Sequence, residues 1–321
     1  GCTARSCRTS NEREVVRFET RLARVELDAE DRDGQHRITV VIEPGAPKRI
    51  KVDDAVVERL VDAPHRPLAA VFAPDRLELV KGPPSLRRAH LDQLVTALWP
   101  ARASTRRAYG QALAQRNALL ARVRAGRASR DSLGAWDMEL ARHGIALRDD
   151  RAAAAAQLTE RFPGLADELG LVGGARLDYR PATTAQTAEE LAGELSERLT
   201  GDLDRGFTGH GPHRDDVALG RSGRSLRSYA SQGEQRLGLL ALLLAEREVI
   251  GEARGHPPLM LLDDVMSELD GERRSRLAAR LADGQSVIST TDLDQVPGAL
   301  DPAVTRIAVS GGAVVQEALA A

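Results

Sequence analysis

Residues 259–270 read LMLLDDVMSELD, a run of large apolar side chains that stops at two adjacent aspartates. A strand buried on both faces is written as a continuous apolar run, and functional groups in such sheets stand at the strand's carboxyl end. The stretch therefore predicts a parallel strand over 258–263. Its first acid, Asp263, is placed to hold Mg²⁺ beside a nucleotide's phosphates, and its second, Asp264, to orient or polarise an attacking water. Paired acids after a strand also open ordinary turns and cap helices, and LMLLDD alone leaves both readings open.

Upstream, SQGEQR (231–236) precedes the apolar run LGLLALLLA. Ser231 and Glu234 have the S-x-x-E spacing of a capping box, so a helix is expected to begin here. With Gly233 near that start, free backbone N–H groups and the positive end of the helix dipole are open to an anion. Standing alone, the motif suits a well-capped core helix equally well. It does not stand alone, because SELD (267–270) follows the paired aspartates directly.

Around these motifs strand and helix alternate. A helix is expected over 232–250, a strand over 258–263, a helix over 271–282, a strand over 285–289 and a hairpin around Gly311–Gly312, a pattern that indicates a parallel α/β sheet. LAAVFAP (68–74), short, apolar and stopped by proline, reads as a further buried strand. RLARVEL (21–27) and HRITVVIE (36–43) flank DRDGQ, a turn with Gly34 placed for positive φ, and RIKVDD (49–54) follows as another strand. From Ser85 the text is helical, with apolar residues near the 3.6 period in LRRAHLDQLVTALW and further patterns over 104–124 and 132–146. Residues 151–205 continue mostly helical, broken by Pro163, by the Gly170–Gly174 stretch and by a short strand in ARLDYRP (175–181). The expected organisation is a β-rich part of an α/β lobe over 1–84, a helical insertion over 85–205, and the rest of the lobe over 206–321.

The 321 residues are 42% hydrophobic with no apolar run long enough to span a bilayer, and a membrane is not expected as a partner. Cys2 and Cys7 are the only cysteines, which argues against a disulfide framework or zinc cluster and for a reducing cytoplasm. The net charge of −2 argues against a general nucleic-acid coat, but its distribution is uneven. Residues 101–130 hold eight arginines and no acid, whereas 148–204 hold twelve acids against six arginines. The basic stretch suits an exposed arm touching DNA phosphates, with Arg102, Arg106 and Arg107 as candidates; a solvated helix face in a lysine-poor protein is the plainer reading. Aromatics are only 3%, so duplex or junction shape is a better target than a platform for unpaired bases. In GPHRDD (211–216), His213 is expected to be a hydrogen-bonding residue at the joint between arm and head rather than a general base. Arg87 and Arg88 suit either a functional loop after the Pro-Pro turn or a plain helix start, and Trp99 and Trp136 suit the arm's core.

The order signature helix, acid-ended strand, SELD resembles that of ABC-type ATPases with heads of the SMC kind. More narrowly, the chain resembles the bacterial DNA replication and repair RecF family along essentially its whole length. RSCRT (5–9), FAPDRLELVKGPPSLRRAHLD (72–92), QRNALL (115–120), WDMELARHG (136–144), GFTGHGPHRDD (206–216), YASQGEQR (229–236), residues 259–270 and STTD (289–292) carry the likeness. The resemblance implies an ABC-type ATPase head with an inserted helical arm, acting as an ATP-dependent homodimeric clamp. It would bind double-stranded DNA near single-strand gaps and help recombination mediator proteins load the recombinase. It also implies that Ser231, Gln232, Gly233, Glu234 and Gln235 face ATP held by an opposite subunit. Asp263 would serve Mg²⁺, Asp264 would assist hydrolysis, and Asp270 would bridge the dimer. Thr290 or Thr291 would stand near the place where ABC transporters carry a switch histidine, a departure that leaves the γ-phosphate sensor undefined.

One feature departs from the pattern. A P-loop needs G-x-x-x-x-G-K-[ST], and no Gly-Lys pair occurs here, Lys48, Lys51 and Lys81 being the only lysines. In the family this loop precedes the RSxRT segment, so the sequence is expected to be truncated upstream of Gly1. The alternative is a non-hydrolysing DNA-binding or scaffold protein without an ATP site of its own.

Overall fold

A computed structural model describes residues 11–31, 34–60, 63 and 66–315; the RSCRT segment lies outside them. The first four strands, β1 (Ala23–Asp31), β2 (Gly34–Ile42), β3 (Arg49–Val52) and β4 (Ala55–Val57), form an antiparallel meander in chain order. The expected hairpin is present, Asp31 pairing with Gly34, which takes φ +132°. The β3–β4 turn was not foreseen: RIKVDD turns at its acids, with Asp53 (φ 50°) and Asp54 (φ 65°) both left-handed. Two successive positive-φ residues match the right-handed twist of the strands they join, and aspartate tolerates that region better than most side chains. Ile38, Val40, Ile50 and Val52 alternate inward and form a small core with Leu60 and Ala63.

The chain then runs through β5 (Ala69–Phe72), α1 (Glu78–Lys81), α2 (Pro84–Leu98), α3 (Ala103–Arg124), α4 (Leu133–Glu168) and β6 (Ala175–Arg180). It continues through α5 (Ala188–Glu197), α6 (Leu199–Arg205), β7 (Asp216–Arg221), β8 (Arg224–Ser225), α7 (Leu226–Tyr229) and α8 (Gln232–Arg254). Last come β9 (Leu259–Asp263), α9 (Gly271–Leu281), β10 (Ser286–Ser289), β11 (Ala308–Ser310) and β12 (Ala313–Val315). Three distant segments form one parallel sheet in the order β10-β9-β5, with Leu262 level with both Phe72 and Ile288. Helix α8 packs against β5, α2 and α4, and from Leu237 to Ala245 it is buried on every side. This explains why its text is an unbroken apolar run rather than an amphipathic pattern.

Pro163 does not break the helix as expected: α4 runs 36 residues straight through it. An interior proline costs about 3 kcal/mol. The four large side chains Leu158, Phe162, Leu165 and Leu169 are nearly or fully buried around it, and each contributes roughly 1.5–3 kcal/mol, which outweighs the proline. Helix α2 and the second half of α4, read from sequence as arm, pack their apolar faces into the head's core with α8 and β9. The arm's own cores are smaller and lie among α3, the first half of α4, α5 and α6. No helix among the described residues is long and apolar enough to cross a membrane.

Candidate functional site

The parallel sheet presents its carboxyl edge as a row. Met260 and Leu262 are buried, and at the next step β9 emerges with Asp263 and Asp264 both exposed. The register sets Ser289, the last residue of β10, beside Asp263. Its hydroxyl donates to Asp263 Oδ1 at 2.5 Å and accepts from the Asp264 backbone N–H at 3.1 Å. Asp264 has φ 49°, a left-handed conformation, and among the described residues no hydrogen bond or ion pair engages its carboxylate. The carbonyl of Asp264 accepts from Ser267 Oγ at 2.9 Å, which winds the chain into the SELD turn. Ser289 escaped the sequence reading as a site residue; the usable signal is that a parallel strand ending level with an acid must place its last side chain next to it.

The signature helix begins where expected. Ser231 Oγ accepts from the Glu234 N–H at 3.3 Å and Glu234 Oε2 accepts from the Ser231 N–H at 2.7 Å, a complete capping box. That backbone N–H holds the Glu234 carboxyl below the usual carboxylate range, with Arg221, 2.7 Å away, adding to the effect. Gln232 and Gly233 are exposed, and a Cβ at Gly233 would meet nothing within 4 Å, so the helix end is open to an outside partner. Gln235 behaves differently. It is buried, and its Nε2 donates to the carbonyls of Leu226, Arg227 and Ala230 at 3.0–3.3 Å, tying α7 to α8 rather than facing outward.

The two motifs share one rim. A cavity of about 270 Å³ is lined by Ser231, Gly233 and Glu234 from one side and by Val265, Glu268 and Leu269 from the other. Arg236 spans it to Glu268 at 2.7 Å. Burial raises the Glu268 carboxyl, and Arg236 opposes that rise. Asp270 caps α9, its Oδ1 accepting from the Arg273 N–H at 2.9 Å and its Oδ2 lying 3.1 Å from the Arg273 guanidinium. The Thr290 hydroxyl is engaged with the backbone of Asp292 in the following loop.

The arm separates its arginines into three kinds. Arg116 is fully buried and binds Asp137 (2.6 Å), Asp202 (2.8 Å) and Thr208 (2.7 Å), so it serves the fold and not a ligand. Arg102 lies over Trp99 at 4.4 Å and pairs with Asp150, and Arg106 pairs with Asp92 at 2.9 Å. Arg107, Arg122, Arg124, Arg127 and Arg130 are exposed with no acidic partner among the described residues.

Where arm meets head, polar groups are buried and paired. Arg151 grips Asp92 with two nitrogens (2.7 and 3.1 Å), and also reaches Asp215 at 3.0 Å and the Pro212 carbonyl at 2.7 Å. Arg87 holds Asp216 at 2.8 and 3.1 Å, and Arg88 donates to the Asp215 carbonyl, so both serve the joint. His213 Nε2 donates to the Thr208 carbonyl at 2.9 Å while Nδ1 accepts from the Tyr109 hydroxyl at 2.7 Å. Burial pulls its pKa down to about 4. A neutral imidazole with both nitrogens engaged is a joint residue, as the sequence suggested.

No protein-family model matches the chain. The chain is 38% identical over 324 residues to a DNA replication and repair protein RecF from Anaeromyxobacter sp., covering 97% of this chain and 86% of that one. It is 37% identical to the corresponding protein from Myxococcus xanthus, covering 97% and 84%. Two solved structures, described as the recombination mediator protein RecF-ATPrS and RecF-ATP in the RecFOR pathway, superpose with TM-scores of 0.82 and 0.83 at 28% identity. The first covers 97% of this chain and 85% of its own, the second 91% and 81%.

Proposed function

The chain belongs to the RecF family of DNA replication and repair proteins and has the fold of an ABC-type ATPase head with an inserted helical arm; from this premise we propose that it is a cytoplasmic, ATP-dependent DNA-binding clamp of recombinational repair. It would act with the other mediators of the RecFOR pathway at double-stranded DNA next to single-strand gaps. The observation that carries this reading is the meeting of the SELD turn, which follows the exposed acids of β9, with the open, capped start of α8 around one cavity.

The residues present suit one half of a nucleotide sandwich. A hard cation shared with phosphates takes one or two carboxylates and otherwise oxygen from phosphate and water. Asp263, steadied by Ser289 Oγ, offers such an oxygen, and among the described residues no larger cluster of metal ligands competes with it. Bound ATP with Mg²⁺ would supply the charge that draws two subunits together. Asp264, its carboxylate unengaged, is placed to orient a water at the sheet's edge. Ser231 and the exposed N–H groups of Gln232 and Gly233 would meet phosphate oxygens presented by the opposite subunit, and Asp270 would lie at the contact between them.

The test is fluorescence anisotropy on a labelled gapped duplex, with sedimentation velocity alongside. Both duplex affinity and dimer fraction are expected to rise on adding ATP and Mg²⁺, and Ser231→Arg should remove both rises while leaving the far-UV spectrum unchanged. A second reading is a DNA-binding scaffold without an ATP site of its own. Duplex affinity that ignores ATP and is untouched by Ser231→Arg selects it.

A further inference from the structure

The segment between α6 and β7 is not used by the nucleotide rim. Gly206, at φ 82°, ends α6, and residues 206–213 then run back along α3. Three contacts pin this path. A Cβ on Gly206 would lie 3.1 Å from the Arg124 guanidinium near the end of α3. The Thr208 N–H and hydroxyl both donate to Asn117 Oδ1, at 2.8 and 2.7 Å, with Arg116 donating to the same hydroxyl. Further along, Tyr109 meets His213.

Phe207 is held between these fixed points, yet 41% of its surface is exposed. An aromatic ring held out on a pinned loop has its orientation already fixed, so little freedom is lost when it meets a ligand. Three cations stand along this loop. Arg214 lies over the ring at 5.4 Å from its centroid, Arg124 is against Gly206, and Arg205 packs on Gly209. Among the described residues neither Arg124 nor Arg214 has an acidic partner, and Arg205 shares Asp202, which is buried and already bound by Arg116. Asp204 is the one exposed acid close by in sequence.

We propose that this loop is a contact for a single-strand–double-strand junction in DNA, an inference that rests on the DNA-binding reading above. Arg124, Arg205 and Arg214 hold backbone phosphates, and the Phe207 ring stacks on the first unpaired base. Guanidinium groups around an exposed ring are the combination that binds single strands, with phosphates supplying affinity and the ring supplying a sequence-tolerant face. The site distinguishes a junction from a plain duplex, whose bases are already stacked on one another.

The experiment compares the full chain's affinity for a duplex, a single strand and a gapped duplex of equal length, with 2-aminopurine as the first unpaired base of the gap. Phe207→Ala should weaken gapped-duplex binding on the order of tenfold, leave plain-duplex binding unchanged and abolish the change in 2-aminopurine fluorescence; Phe207→Tyr should restore both. Arg124→Glu with Arg214→Glu should weaken binding to both DNAs and flatten its salt dependence. If Phe207→Ala affects duplex and gapped duplex equally, or neither, the junction contact is wrong while the DNA-binding reading survives. If the unaltered chain binds none of the three DNAs, both fall.

Discussion

Asp264 carries its carboxylate on a left-handed backbone, at φ 49°. For an L-residue that region costs on the order of 1–2 kcal/mol, less for aspartate than for most. Such strain persists where the surroundings impose it, and it gathers at functional positions. Here the imposing groups are Ser289, which holds the backbone N–H, and Ser267, which holds the carbonyl. Asp264→Gly is therefore expected to raise stability by about 1 kcal/mol, measured by urea denaturation, while Asp264→Ala lowers it. A loss of stability in the glycine variant would show that the acid is not strained. At this scale the sequence was informative about position and silent about direction. Ser231, Gly233, Asp263 and Asp264 emerge where their motifs set them, whereas Gln235, two residues past Gly233, has rotated round the helix into the interior. Arg106 and Arg116 share one basic run, and only the fold decides that one pairs at the surface and the other is sealed inside.

At the scale of elements, the loop over 206–215 acts through His213. Burial holds the folded-state pKa near 4, below an unfolded value near 6.5, so between those pH values the unfolded chain binds more protons. Stability must fall as pH drops through that window, by on the order of 3 kcal/mol at most. Urea midpoints taken from pH 7 to pH 4 should show this decline, and His213→Gln, which keeps a donor and an acceptor, should show a shallower one. Equal slopes in the two proteins would mean that carboxylates alone cause it. The elements themselves were largely legible, because strands β5, β9 and β10 are short apolar runs and α8 announces itself with a capping box. The miss at Pro163 has a physical cause: a local rule about proline yields when four large side chains gain burial around it.

Across the whole molecule, head and arm are joined by buried charges. Arg151 touches Asp92 on α2, Asp215 and the Pro212 carbonyl at once. Removing one partner of a buried pair leaves the other uncompensated. Arg151→Met is expected to cost about 3 kcal/mol, because Arg106 still faces Asp92 and Tyr179 still donates to Asp215. Calorimetry should then split a single unfolding transition into two as the arm loosens from the head; one undivided transition would show that apolar packing alone holds the joint. The sequence pointed to His213 at this joint but not to the pairings of Arg151, whose partners are 59 and 64 residues away with no local pattern linking them.

The three-stranded parallel sheet has a consequence for how the protein is made. β5 leaves the ribosome long before its partner β9, and β10 comes later still, with the entire arm synthesised between the first two. The helical hairpin of α3 and α4 can close on itself during synthesis, while β5 must wait for its partner β9. Nascent chains are thus most prone to misassociation, and most in need of chaperones, in the interval after LAAVFAP has emerged and before LMLLDD arrives.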